Sequence, residues 1–141
     1  MAKSKTQKHI VDMWQGIAIK AVEHYMTLLG LSTTWDIKTE VVPSLPDGST
    51  GMTNNAWPYK QAHIKFAESI FTSSDWHYQL KVTAAHEVGH VFVAEHFEGD
   101  ITRLIGGEGL LADMLHDKLE GLVDALAHIL VGMEEEVNGS P

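Results

Sequence analysis

From Gln7 to Leu29 the apolar residues Ile10, Trp14, Ile17, Ala21 and Met26 recur at three- and four-residue steps. That period predicts an amphipathic helix, and Gly30 stands where its C-cap belongs. Trp35 to Val41 alternates apolar with polar positions, Thr39 apart, and stops before Pro43, the pattern of a half-buried strand. Pro43 to Asn55 holds two prolines, two glycines, Asp47 and several hydroxyl residues, so it is expected to be a loop. Tyr59 to Ala67 alternates again, with Ala62, Ile64 and Phe66 on one face and Gln61, His63 and Lys65 on the other. This second strand is expected at the edge of its sheet.

Ser73, Ser74 and Asp75 offer an N-cap for a long helix reaching Phe97, with Gly99 beyond it. A loop with Gly106, Gly107 and Gly109 leads to a last helix from Leu110 to Val131, leaving room for a short extra strand at Ile101 to Ile105. In the last helix Leu111, Leu115, Leu119, Leu122, Leu126 and Ile129 form the apolar stripe. Asp113, His116, Asp117, Glu120 and Asp124 share the opposite face. The order α-β-β-α-α predicts a small α+β fold without internal repeats, a single domain over residues 1–133. Glu134, Glu135, Glu136 and the Asn-Gly-Ser-Pro end read as a disordered acidic tail, 134–141.

Composition narrows the chemistry. At 141 residues with 44% hydrophobic and 21% charged residues, the chain is an ordinary globular protein of one-domain size. The absence of cysteine excludes a disulfide scaffold, a thiolate zinc site, an iron–sulfur cluster and a cysteine nucleophile, so any metal is held by nitrogen and oxygen. A net charge of −9 repels phosphate and argues against binding nucleic acid or an anionic membrane. No run approaches the ~18 apolar residues of a membrane helix, and the basic start (Lys3, Lys5, Lys8) lacks the apolar core of a signal peptide, so cytoplasmic residence is the expectation.

Nine histidines are many for this length, and two of them form a motif. His86-Glu87-Val88-Gly89-His90 is H-E-x-x-H on a predicted helix, whose i,i+4 spacing sets both imidazoles on one face, able to share one zinc ion. Shuffling this composition yields the motif roughly 0.04 times per chain. Val82, Ala84, Ala85, Val88, Val91, Phe92, Val93 and Ala94 surround it, so the helix is apolar almost all round and expected to be buried. Two imidazoles and a carboxylate are costly to bury without partners, and a metal with a proton-transfer role accounts for all three. In the hydrolytic reading zinc takes three protein ligands and a water, Glu87 accepts the water's proton, and Glu87 later returns it to the leaving amine.

Two residues compete for the third ligand position. His96 follows His90 by six residues, the spacing of metzincins and of the related endoribonucleases of ribosomal-RNA maturation. Val93 stands where those proteins have glycine, so a continuing helix points His96 away from the metal. Glu120, on the next long helix with Asp124 one turn on, is the stronger candidate if the two helices pack antiparallel. Asp124 or His116 would then support the ligands from behind.

With His86-Glu87-x-x-His90 and a downstream Glu120-Gly-Leu-Val-Asp124-Ala-Leu-Ala-His-Ile-Leu, the chain resembles the gluzincin metallopeptidases. More narrowly it resembles their minimal forms: minigluzincins, ImmA/IrrE-type peptidases and small metallopeptidases of phages and mobile elements. The resemblance spans about Trp35 to Leu130. It implies a zincin-like domain in which the H-E-x-x-H helix packs on a glutamate-bearing C-terminal helix and a small twisted sheet. It also implies one zinc ion held by His86, His90 and Glu120, with Asp124 behind them. Asn55-Ala56-Trp57 is similar to the Asn-Ala-aromatic segment of the gluzincin edge strand, which holds substrate backbone by strand addition. For Trp57 packing on the core is an equal alternative.

The expected function is zinc-dependent hydrolysis of a peptide bond in a peptide or protein substrate, for which a regulatory protein is a candidate. The rival expectation is a zinc-stabilised domain that binds such a partner without cutting it. An endoribonuclease using His96 is a third. Tyr59, His63, His77, Tyr78 and His128 are candidates for stabilising an oxyanion, with no spacing to choose among them.

Overall fold

A computed structural model describes residues 3–106 and 108–139. Among these residues the chain is a small α+β domain of four helices and a three-stranded sheet. Helix α1 (Lys5–Leu28) starts at a capping box, in which the Ser4 hydroxyl accepts from the Gln7 amide at 3.2 Å and the Gln7 side chain accepts from the Ser4 amide at 2.9 Å. It ends in a Schellman turn: Gly30, at φ 72°, donates to Thr27 and Leu31 donates to Met26. Its buried face, Ala18, Val22, Tyr25 and Met26, is one stripe of the expected periodicity.

The sheet has the order β1-β3-β2, where β1 is Asp36–Val42, β2 is Gly51–Ala56 and β3 is Gln61–Ala67. β1 runs parallel to β3 and β2 antiparallel to it. Two expectations are corrected here. The segment expected to be all loop contains β2, and the strand expected at the edge, β3, is central. Residues 51–56 carry no apolar alternation. They are strand because β3 offers them a backbone ladder, with Thr53 opposite Ile64 and Asn55 opposite Ala62. With both edges paired, β3 buries Ala62, Ile64 and Phe66 between sheet and helices.

Helix α2 (Trp76–Val93) follows one short 3-10 helix (Glu68–Thr72) that buries Ile70 and Phe71. The Asp75 side chain makes no capping bond; it accepts instead from the Gln79 side chain at 3.2 Å. Beyond Val93 the chain widens into a π turn (Ala94–Glu98) and continues as α3 (Gly99–Ile105), which stops at Gly106, φ 85°. The extra strand expected at Ile101 to Ile105 is therefore helical. The π turn is pinned by Glu95, which accepts from Trp35 Nε1 at 2.9 Å and pairs with Lys60, holding its carboxyl below the ordinary range.

Helix α4 (Leu110–Gly139) runs past the expected end at Val131 and into the segment expected to be a disordered tail. Glu134 accepts from the Tyr25 hydroxyl at 3.2 Å and lies 2.7 Å from His24 Nε2, and Lys81 pairs with Glu135 at 2.9 Å, so acidic residues dock the helix end on α1 and α2. Burial and the Glu134 charge push the Tyr25 phenol well above its ordinary pKa. Gly107, Ser140 and Pro141, part of the expected loop and tail, lie outside the described residues.

The buried face of α4 also departs from expectation. It is the row of small and β-branched residues Ala112, Val123, Ala127 and Val131, while Leu111, Leu122 and Ile129 of the expected stripe are exposed. Close packing against α2 explains the choice, because a β-carbon at Gly89 would stand 2.9 Å from Val123 Cγ1. Only a face of small side chains lets the helices come this near. Among the described residues no helix is long and apolar enough to cross a membrane.

Candidate metal centre

The α2 residues Leu80, Ala84, Ala85, Val88 and Val91 are fully buried, and His86 and His90 emerge one turn apart on the remaining face. Their Nε2 atoms lie 3.1 Å apart. From α4, Glu120 places Oε1 3.0 Å from His86 Nε2 and Oε2 3.2 Å from His90 Nε2. Asp124, one turn further, lies on the far side of the same ring, its Oδ1 3.6 Å from His86 Nδ1. That placement suits an imidazole whose Nε2 is a ligand and whose Nδ1–H is held by a carboxylate.

These donors fit a metal. Zinc bound tetrahedrally at 2.0–2.1 Å separates neighbouring ligand atoms by about 3.3 Å. The three groups here stand 3.0 to 3.2 Å apart. Two neutral nitrogens and a carboxylate are the donor set zinc takes in sites that keep a fourth position open. Glu87 also offers an oxygen near the histidines: His86, Glu87 and His90 together present ligand atoms within 4.8 Å of one another. Its surroundings separate its role from theirs.

Glu87 is 6% exposed, and burial raises its carboxyl above the ordinary pKa despite the Thr53 hydroxyl and the two imidazoles, which pull it down. The Thr53 hydroxyl lies against both the Glu87 carboxylate and its backbone carbonyl, the latter at 3.1 Å. With one hydrogen to give, it donates to the carboxylate, the stronger acceptor. β2 reaches Glu87 because of Gly51, where a β-carbon would stand 2.6 Å from Thr83 Cγ2 and 3.0 Å from Glu87 Oε1. Gly51 and Thr53 are the site residues that sequence reasoning missed. A glycine and a β-branched hydroxyl residue two positions apart, after a proline-rich loop, were the available signal.

A cleft of about 530 Å³ opens over these groups, lined by Asp47, Gly51, Met52, Thr53, Asn55, His86, Glu87, His90 and Glu120 among others. A smaller cavity of about 150 Å³ adjoins it on the far side of His90 and Glu120, and there His116 stands 3.5 Å from Glu98. Asn55 lines both spaces. Ala56 and Trp57 line neither. Trp57 belongs to the short turn Trp57–Tyr59 and packs on the core beside Gly99, whose missing β-carbon would lie 3.3 Å from its ring. His96 is exposed and rests on Phe92, ring centroids 4.4 Å apart, in the direction a continuing helix dictates.

None of the five oxyanion candidates lines the two cavities. His63 is paired with Glu40 on the sheet, His77 stacks on Trp76, His128 bonds its own helix at Asp124 O, and Tyr59 and Tyr78 are exposed. His116 is the further imidazole beside the site. β2 pairs with β3 along one edge and leaves the other unpaired among the described residues, bordering the cleft. Comparison of the chain with protein-family models, with curated proteins and with solved structures finds no match.

Proposed function

We propose that this chain is a zinc-dependent peptidase of the gluzincin type, a zincin-like domain in which His86, His90 and Glu120 hold the metal. The observation that carries the reading is the donor triangle, with Glu120 reaching across from α4 to within 3.0 and 3.2 Å of the two Nε2 atoms. When bound, zinc supplies Lewis-acid polarisation of the scissile carbonyl and makes a nearby water more acidic. The chain's own residues do the rest.

Asp124 orients His86 through Nδ1. Glu87, desolvated and raised in pKa, takes up a proton from the attacking water and delivers it to the leaving amine, a task suited to a carboxyl closer to neutrality than usual. Thr53 holds that carboxylate in place. The free edge of β2 accepts an extended peptide as an added strand, with Asn55 beside the scissile bond.

The test is a Glu87→Gln variant assayed with a mixed peptide library by mass spectrometry, alongside metal analysis of both proteins. Wild type should carry one zinc per chain and cut, and the variant should keep the zinc and lose at least ~100-fold in turnover. Cleavage undiminished in the variant overturns the mechanism. Zinc and peptide binding without cleavage in wild type leaves the rival reading, a zinc-stabilised binding domain for a peptide or regulatory protein.

A further inference from the structure

A helix packed on a domain by one face normally turns charge to water on the other, and on α4 the row furthest from α2 is instead largely apolar. Its outward row runs Leu111, Met114, Lys118, Leu122, Ala125, Ile129 and Gly132, at three- and four-residue steps, with Met133 alongside. Leu111, Met114, Leu122, Ile129 and Met133 are 49–60% exposed. Lys118 is the single charge in the row, and its four-carbon stem can lie along apolar surface. These five side chains place large exposed apolar groups on one continuous face of a single helix.

The row is complementary to itself in one orientation. Turned antiparallel about a point between Gly121 and Leu122, it sets Leu111 over Gly132, Met114 over Ile129, Lys118 over Ala125 and Leu122 over Gly121. Large residues then meet small ones in three of the four pairs. Space exists above both glycines, since a β-carbon at Gly121 or Gly132 would meet nothing within 4 Å. A parallel pairing opposes Lys118 to its own copy, whereas the antiparallel one sets it over Ala125 and separates the two like charges.

The area is sufficient. Each of the five half-exposed side chains offers about 100 Å², so a two-fold pairing covers about 1,000 Å² in total, the level at which specific interfaces begin. We infer that the outward face of α4 is a homodimer interface, occupied by the same face of a second copy related by a two-fold axis. This face lies on the opposite side of α4 from the row packed against α2, so the inference stands independently of the metal chemistry.

The experiment is sedimentation velocity of the full chain across the micromolar range. The expected species has twice the 15.6 kDa chain mass. Leu122→Glu, at an exposed position, should keep the far-UV circular dichroism of the wild type and weaken the dimer by at least roughly 100-fold. The chain has no cysteine, so orientation is read by introduced ones. Leu122→Cys should oxidise to a covalent dimer and Met114→Cys alone should not, while the pair Met114→Cys and Ile129→Cys should. A monomer at every concentration, a dimer indifferent to Leu122→Glu, or a covalent dimer through Met114→Cys alone would overturn the inference.

Discussion

Gly89 and Val123 meet so closely that a β-carbon on the glycine would stand 2.9 Å from Val123 Cγ1. The contact lies beside His90 on α2 and between Glu120 and Asp124 on α4. It therefore sets the distance across which the carboxylates reach the imidazoles. Alanine at Gly89 gains up to about 1 kcal/mol of helix propensity and forces an overpacked contact costing about 1–3 kcal/mol. Gly89→Ala is expected to lower the unfolding temperature and to weaken zinc binding together, and adding Val123→Ala should recover both. Thermal unfolding with a zinc titration of the single and double variants checks this; an unchanged zinc affinity in Gly89→Ala would break the link between helix spacing and the site.

The ligand assignment separates Glu120 from His96. Glu120→Ala removes one of three donors, so zinc should be lost on dialysis, whereas His96→Ala should retain a full equivalent because His96 rests on Phe92, away from the cleft. Asp124→Asn keeps the three donors and alters what holds His86 Nδ1, for which about a 10–100-fold loss of affinity is expected. Metal analysis after graded chelation orders the three variants, and zinc lost from His96→Ala would revive the endoribonuclease-type ligand set.

In the proposed reaction Thr53 acts on Glu87, against which its hydroxyl lies, rather than on substrate. Thr53→Val is nearly isosteric and removes the donor to a buried carboxylate, so kcat should fall about tenfold or more with KM and zinc content unchanged. Thr53→Ser should restore most of the rate. A fall in zinc content or a rise in KM with constant kcat would assign Thr53 to packing instead.

Helix α1, β1 and β3 were legible because their burial follows a single period: Val22 and Met26, or Ile64 and Phe66, recur where 3.6 and 2 residues per repeat require. His86, Glu87 and His90 were legible for the same reason, since a short helical motif carries its own geometry. β2 was not. Gly51-Met-Thr-Asn-Asn-Ala has neither alternation nor strand propensity, and its strand state comes from pairing with β3 and from the need to bring Thr53 against Glu87.

The face of α4 was misread because its leucines outnumber its small residues. Hydrophobicity alone selects Leu111, Leu122 and Ile129 for the core, but contact with α2 through Gly89 favours Ala112, Val123 and Ala127. Which of two apolar rows is buried is decided by the partner helix, and that information lies elsewhere in the chain. Glu120 and Asp124 reach the histidines because this second row, and not the leucine row, turns inward.

The end of α4 ties its stability to pH on the alkaline side. The Tyr25 phenol, buried and bonded to Glu134, has its pKa raised in the folded state. The folded protein therefore holds this proton more tightly than the unfolded chain. The stabilisation is fully present below the ordinary phenol value of about 10 and drains away as pH climbs above it. Tyr25→Phe should flatten the alkaline limb of the stability profile. Glu134→Ala should reduce its slope, because the glutamate charge and hydrogen bond contribute to the shift, and should cost about 1 kcal/mol near neutrality through the lost bond. Urea unfolding of the three proteins at a series of pH values tests both effects. Identical alkaline limbs for wild type and Tyr25→Phe would mean that the end of α4 detaches from α1 before the phenol ionises.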